Sequence, residues 1–249
     1  MRTLFIFAVL FACLPFFSAH AQDRSLTIDL AEDRVDITAG FTGARLALFG
    51  VKKGPGQVVV VIRGPEKTMV VRRKESALGI WFNKRGVKFR KVPVYYDYAL
   101  SVPESELAEP ETLKKNGIGL NALKFEPDTW RDKPEYAQSF QEALIRNKQA
   151  EGLFPLKPRR ITFLDDNFFR ASFYVPSNVP TGQYQVQSFL IRDGAIVDVQ
   201  TTALNVGQVG LEAKIYKFAY EQSLAYGLLC VLIAVMAGWL ANAIRIRGG

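Results

Sequence analysis

Hydrophobic residues along this chain follow three patterns: alternation, a helical stripe, and one unbroken run. The unbroken run covers residues 224–244, LAYGLLCVLIAVMAGWLANAI, and holds no formal charge. At about 1.5 Å rise per residue it would extend roughly 31 Å, the thickness of a bilayer's hydrocarbon core. A buried helix of a globular protein keeps a polar stripe over such a length, so the pattern predicts a transmembrane helix. Tyr226 and Trp239 stand near its ends, where amphipathic rings favour the headgroup region, and Arg245 and Arg247 follow at once. Those arginines form a positive flank and put the C-terminus in the cytoplasm. Ala234 and Gly238 lie four residues apart, a spacing that permits close helix contact.

Alternation dominates the rest. Residues 26–30, 45–51, 57–63, 67–73 and 93–102 are short apolar or alternating stretches separated by turn residues such as Lys52-Lys53-Gly54-Pro55-Gly56 and Gly64-Pro65. Val58 to Ile62 is uniformly apolar, as in a central strand covered on both faces. Farther on, Phe169, Ala171, Phe173 and Val175 alternate with polar positions, as do Tyr184, Val186, Ser188 and Leu190, each with one face buried. Arg192-Asp193-Gly194 is read as a hairpin turn into a strand over 195–206. The spacing predicts an all-β sandwich, and Tyr184, just inside a strand after Pro180, resembles the corner tyrosine of immunoglobulin-like domains. The fold expected is mainly β, an immunoglobulin-like β-sandwich.

A helical insertion interrupts it. Residues 104–116 are acidic, then basic, and poor in apolar groups, and residues 132–152 carry a stripe of Tyr136, Phe140, Ala143 and Leu144. Asp132 with Glu135 reads as a capping box and Gly152 as the stop. Whether 104–152 inserts into the sheet domain or stands as a second small domain is open. A juxtamembrane helix is expected over 211–223.

The N-terminus has Arg2, an apolar core and then Ala19-His20-Ala21, the pattern of a secretory signal peptide over residues 1–21. The domain over 22–210 is then exported, with one span over 224–244 and a tail over 245–249: a bacterial inner-membrane protein with its domain in the periplasm. The single histidine, His20, lies in the signal, and the two cysteines, Cys13 and Cys230, lie in the signal and the span. An exported domain without imidazole or thiol has no disulfide, no Cys or His nucleophile system, and no His or Cys metal site. No metal and no cofactor is expected, and the chain is not read as an enzyme. Asp165-Asp166-Asn167 lacks the spacing of a calcium loop and is read as a turn.

The formal charge is +8, and it is localised. Residues 63–91 hold ten basic side chains against Glu66 and Glu75. Such a patch attracts anions. Behind a signal peptide the candidates are an acidic partner, a small anion or acidic lipid headgroups, and nucleic acid is not expected. Within the patch Arg72, Arg73 and Lys74 precede Trp81 and Asn83. Arginine forks and an indole can together make an anion or partner site; the alternative is solvent-facing arginines beside a core tryptophan.

Several segments carry a family resemblance: Phe41-Thr42-Gly43 with Leu48-Phe49-Gly50, residues 59–65, the Arg72-Arg73-Lys74 and Gly79-Ile80-Trp81-Phe82-Asn83 pair, Phe168-Phe169-Arg170-Ala171, Val179-Pro180 with Gly182 and Tyr184, residues 189–194, and Tyr226-Gly227 with Gly238-Trp239-Leu240. On these the chain resembles the transmembrane protein family of alphaproteobacteria, whose activity is unassigned. The resemblance implies an exported domain with one C-terminal anchor, acting as an accessory partner of a polytopic permease of the sulfite or organosulfonate exporter type. A periplasmic module or enzyme acting on a small sulfur oxyanion is the other reading. The family supplies no catalytic residues.

Overall fold

A computed structural model describes residues 24–77, 80–128 and 134–247. The expected signal peptide, Asp132, and the side chains of Lys74, Trp81 and Asn83 lie outside the described residues. The protein is mainly β. In chain order the first seven strands are β1 (Leu26–Leu30), β2 (Arg34–Ile37), β3 (Gly43–Lys52), β4 (Gln57–Arg63), β5 (Glu66–Ala77), β6 (Ile80–Pro93) and β7 (Tyr96–Leu100). Helix α1 (Pro110–Asn116), a two-residue strand β8 (Glu126–Pro127) and helix α2 (Pro134–Ala150) follow, then the short strands β9 (Arg159–Arg160) and β10 (Thr162–Phe163). The chain closes with β11 (Phe168–Pro176), β12 (Gly182–Arg192), β13 (Ala195–Gln208), α3 (Leu211–Glu221) and α4 (Ser223–Arg247).

Two sheets share one hydrophobic core. One has the order β1-β3-β11-β10 and the other β2-β13-β12-β4-β7-β9. Strand β4 is the centre of the second, hydrogen-bonded to β12 on one side and β7 on the other, and Val58 to Ile62 are all fully buried. That is the double coverage its uniform apolar run predicts. Strands β11 and β12 show the expected alternation, with Phe169, Ala171, Phe173 and Val175 buried on one and Tyr184 and Val186 on the other. Between β12 and β13 the turn is tight: Asp193 and Gly194 both have positive φ, 48° and 77°, the requirement of a type I′ hairpin. The turn reading of Asp165-Asp166-Asn167 also holds, since Leu164 and Asp165 N–H both donate to the Phe168 carbonyl.

Two edges exchange sheets. The chain leaves β1, antiparallel to β3, and enters β2, parallel to β13. It likewise passes from β9, parallel to β7, to β10, antiparallel to β11.

The basic stretch forms a third sheet, β5-β6-β8. β5 and β6 make a long hairpin whose register slips twice, between Lys67 and Met69 and between Arg72 and Lys74. At the first slip β6 carries an extra residue, and Lys91 there adopts φ 55°, the signature of a bulge. Gly86 lies beside the second: a Cβ there would stand 2.5 Å from the Val71 carbonyl oxygen. Val71, Val87 and Phe89 bury one face of this hairpin together with Phe125, Phe140 and Leu144. Helix α2 therefore covers the small sheet. Its stripe is as expected for Phe140, Ala143 and Leu144, whereas Tyr136 stands at the margin, half exposed, with its ring 4.7 Å from that of Phe140. The helix stops before Gly152 at φ 71°.

Over residues 223–240 helix α4 is exposed, except for the half-buried Tyr226. Its most apolar 18 residues, Ser223–Leu240, have mean hydropathy 2.1 and none is buried.

Candidate functional site

The end of β4 at which Arg63 stands is where separate segments of the chain meet. Arg63 pairs in register with Gln185 on β12 and with Tyr96 on β7. Gln183, Gln185 and Gln187 alternate with the buried Tyr184, Val186 and Ser188, so they line the outer face of the sheet. Against that face sits the end of α1. The helix terminates at Gly117, φ 62°, whose N–H donates to the Lys114 carbonyl while Ile118 N–H donates to that of Leu113, a glycine C-cap.

Two side chains from the sheet hold this cap. Arg63 donates through Nη2 to the carbonyls of Asn116 at 2.6 Å and Gly117 at 3.0 Å, and through Nη1 to Gln187 Oε1. The Tyr96 hydroxyl donates to the Gly117 carbonyl and accepts from Gly119 N–H, both at 2.9 Å. Burial pushes the Tyr96 phenol well above its ordinary range, so it remains a neutral donor. A side chain at Gly117 would displace this guanidinium, since a Cβ there would stand 2.9 Å from Arg63 Nη2.

Among the described residues, Arg63's hydrogen-bond partners are neutral. Desolvation lowers the guanidinium's pKa from its ordinary value, and Glu66, acting through space, opposes the shift. Its Nε–H and one Nη1–H have no acceptor among the described residues. Even a half-buried cation loses part of its hydration, and a bonded anion would offset that loss. The groups around it add to the positive field: the surrounding cleft, about 480 Å³, is lined by Arg63, Lys91, Lys114, Lys115 and Lys124, with Glu66 as its acidic residue. Lys91, turned by the bulge, is engaged by Glu126 at 2.7 Å, which raises its pKa. Lys114, Lys115 and Lys124 are exposed and carry no ion pair among the described residues. Pro65, Pro93 and Leu123 supply apolar wall. The arrangement can hold an anion by charge-assisted hydrogen bonds.

The residues singled out in the sequence lie elsewhere. Arg72 and Arg73 are both exposed on β5, but neighbours on a strand point to opposite faces. Arg73 lies over the Phe140 ring, 5.9 Å from its centroid, on the α2 side, and Arg72 points away from it. They therefore do not converge on one ligand. Lys74 and Asn83 are cross-strand partners, as are Ser76 and Trp81, so the backbone brings the two motifs into one hairpin. Among the span residues, Gly238 has no other element within 4 Å of where a Cβ would stand and Trp239 is exposed, whereas Tyr226 is half-buried against Phe218. The sequence signal for the cleft was present only in part: Arg63 and Lys91 belong to the basic stretch, but Lys114, Lys115 and Lys124 come from the insertion and are joined to them by folding alone.

One other polar cluster is buried. Asp97, almost wholly inside, accepts from Arg159 Nε at 2.5 Å, from Tyr95 at 3.3 Å and from Tyr98 N–H at 2.9 Å. Burial raises its pKa, and Arg159 opposes the shift. This is an ion pair that ties β9 to β7. No group of three or more His, Cys, Asp or Glu side chains converges among the described residues.

Comparison with known proteins gives a family and little else. No curated protein matches the sequence. Among solved structures, the sporulation control protein Spo0M from Bacillus subtilis aligns at 10% identity and a TM-score of 0.27, over 80% of this chain and 54% of that one, so the chain spans about half of that structure. A family model described as "Putative transmembrane protein (Alph_Pro_TM)" matches residues 25–247, from the first strand to the end of α4. The chain belongs to this transmembrane protein family.

Proposed function

We propose that the protein is a non-enzymatic accessory subunit: an immunoglobulin-like domain in the periplasm, anchored by α4 beside a polytopic permease of the exporter type. The observation that carries this reading is the short join between sheet and span. β13 ends at Gln208, α3 starts at Leu211, and α4 starts at Ser223. With no long linker, whatever the sheet contacts lies close to the membrane surface. Beyond residue 20 the chain has no histidine, and its remaining cysteine is Cys230 in the span, a vocabulary suited to binding more than to nucleophilic or redox work.

Support for the immunoglobulin-like reading comes from connectivity. The order β1-β3-β11-β10 corresponds to strands A, B, E and D of that fold, and β13-β12-β4-β7 to G, F, C and C′. Tyr184, at the start of the strand corresponding to F, donates its hydroxyl to the Pro180 carbonyl at 2.5 Å, the contact of a tyrosine corner.

Purification of the full-length protein from its own membranes in mild detergent, beside a form ending before Leu224, tests the proposal. The expected result is an integral membrane protein that accompanies the full-length form alone. A full-length chain that always runs by itself overturns the reading. A second reading, an anion-binding module, is favoured by one observation: the Arg63 guanidinium sits in a basic cleft with no carboxylate bonded to it among the described residues.

A further inference from the structure

The strand register fixes which end of the domain holds the cleft. β13 runs towards the anchor, and on its neighbour β12 the cleft residues Gln183 and Gln185 pair with Asn205 and Ala203. Asn205 lies three residues before the end of β13 at Gln208, and α3 begins at Leu211. At about 3.3 Å per residue the cleft's edge is no more than about 20 Å along the strand from the start of α3. Arg63, at the end of β4, and Tyr96, at the start of β7, lie at this same end because those strands alternate in direction.

Helix α3 is suited to lie at a membrane surface. Ile215, Tyr216 and Tyr220 are exposed, with the two tyrosine rings 4.6 Å apart, and Lys214 is exposed beside them. Aromatic and basic groups of this kind favour the headgroup layer. Phe218 meets Tyr226 of α4 edge-on at 6.1 Å, which couples this helix to the span. The open basic cleft thus belongs to the membrane-facing end of the domain. Its cations are of three kinds: Arg63, held against the α1 cap; Lys91, paired with Glu126; and Lys114, Lys115 and Lys124, exposed and without an ion pair among the described residues.

We infer that the cleft binds the phosphate of an anionic phospholipid headgroup in the leaflet beside which the domain stands. Arg63 offers its remaining N–H donors to the phosphate oxygens. The lysines supply the excess positive charge that distinguishes an anionic lipid from a zwitterionic one, each worth about tenfold or less in affinity at a membrane surface. Pro65, Pro93 and Leu123 give the glycerol portion an apolar wall. The inference rests on the anion-binding reading of the cleft, and the experiment below separates the two.

Full-length protein is mixed with equal amounts of phosphatidylglycerol and phosphatidylcholine in a neutral detergent, and retained lipids are counted by native mass spectrometry. A parallel calorimetric titration uses inorganic phosphate. The variants are Arg63→Gln and the triple variant Lys114→Gln/Lys115→Gln/Lys124→Gln. Because Arg63 also holds the α1 cap, its loss can unfold the region; the three exposed lysines have no such role, and the triple variant should melt as the wild type does.

The expected result is a preference of about tenfold or more for phosphatidylglycerol in the wild type that the triple variant loses. Equal retention by wild type and triple variant would assign the lipid to other basic groups and overturn the inference. Phosphate binding that depends on the lysines, without lipid preference, overturns the headgroup assignment and leaves the anion reading standing. Neither binding event overturns both.

Discussion

Arg63 and Gly117 depend on each other. The guanidinium reaches the Asn116 and Gly117 carbonyls through space that a Cβ at residue 117 would crowd, and the positive φ of 62° that ends α1 there is one that glycine adopts freely. Gly152 provides a control, since it has a similar φ of 71° and nothing within 4 Å of a Cβ position. Gly152→Ala should cost the conformational penalty alone, about 1–2 kcal/mol. Gly117→Ala adds displacement of Arg63 and should melt lower than Gly152→Ala in thermal unfolding of the detergent-solubilised protein. Equal losses would mean that the guanidinium moves aside without consequence. At the opposite extreme stands Ser188, fully buried on β12, whose Oγ has no hydrogen-bond partner among the described residues. An unmet buried hydroxyl costs about 1–3 kcal/mol, so Ser188→Ala should raise stability by about 1 kcal/mol, read as a higher melting temperature. A drop on this substitution would show that Oγ has a partner such as a buried water.

Among the elements, the β5–β6 hairpin separates into two parts. Its proximal half is bound into the small core through Val71, Val87 and Phe89 under α2. The strand pairing continues past Arg72↔Gly86 to Ala77↔Ile80, and in this distal half the described packing contact is Arg73 over Phe140. Such a contact is worth about 0.5–1 kcal/mol at an exposed site. Replacing residues 73–85 with Asn-Gly joins the paired Arg72 and Gly86 by a two-residue turn and keeps Val71, Val87 and Phe89; it should leave a folded protein whose melting temperature falls by only a few degrees, checked by circular dichroism. Unfolding would show that the distal half carries core. If this folded variant no longer brings down a membrane partner, the basic hairpin is the partner's surface.

The same elements show what the sequence makes visible. β1 and β4 were legible to the residue, because the valines of β4 and the turn residues on either side leave no other pattern. The hairpin turn at Asp193-Gly194 was legible because few dipeptides fit two positive φ angles. β6 was not: the bulge at Lys91 and the slip near Gly86 break its alternation, and its many charges read as loop. β2, β9 and β10 are edge segments of four, two and two residues, formed by pairing with strands distant in sequence and not by local preference. The cleft escaped for the same reason. Arg63 on β4, Lys91 on β6, Lys114 and Lys115 on α1, and the glutamines of β12 are brought together by register, and register is a property of the folded chain. Adjacency in sequence pointed instead to Arg72 and Arg73, which the pleat sends to opposite faces.

For the molecule as a whole, the decisive property is the side of the membrane on which the sheets stand. The flanks of the span do not settle it on their own: Arg245 and Arg247 follow it, but Lys214 and Lys217 lie within ten residues before it. Since orientation follows basic residues close to the span, these counts are balanced. The weight falls on the expected signal peptide over 1–21, which commits the following domain to export before the span is made. The prediction is accordingly specific. In a Cys230→Ser background, Lys157→Cys, at an exposed position in the sheet domain, should react with a membrane-impermeant maleimide in spheroplasts, and Gly249→Cys should react only after lysis. The reverse pattern would place the sheets in the cytoplasm, where the basic cleft would face the inner leaflet and nucleic acid, not expected behind a signal peptide, would return as a candidate ligand. Labelling of neither residue before lysis would put the sheets and the tail together in the cytoplasm and so overturn both the export of the domain and the single membrane crossing.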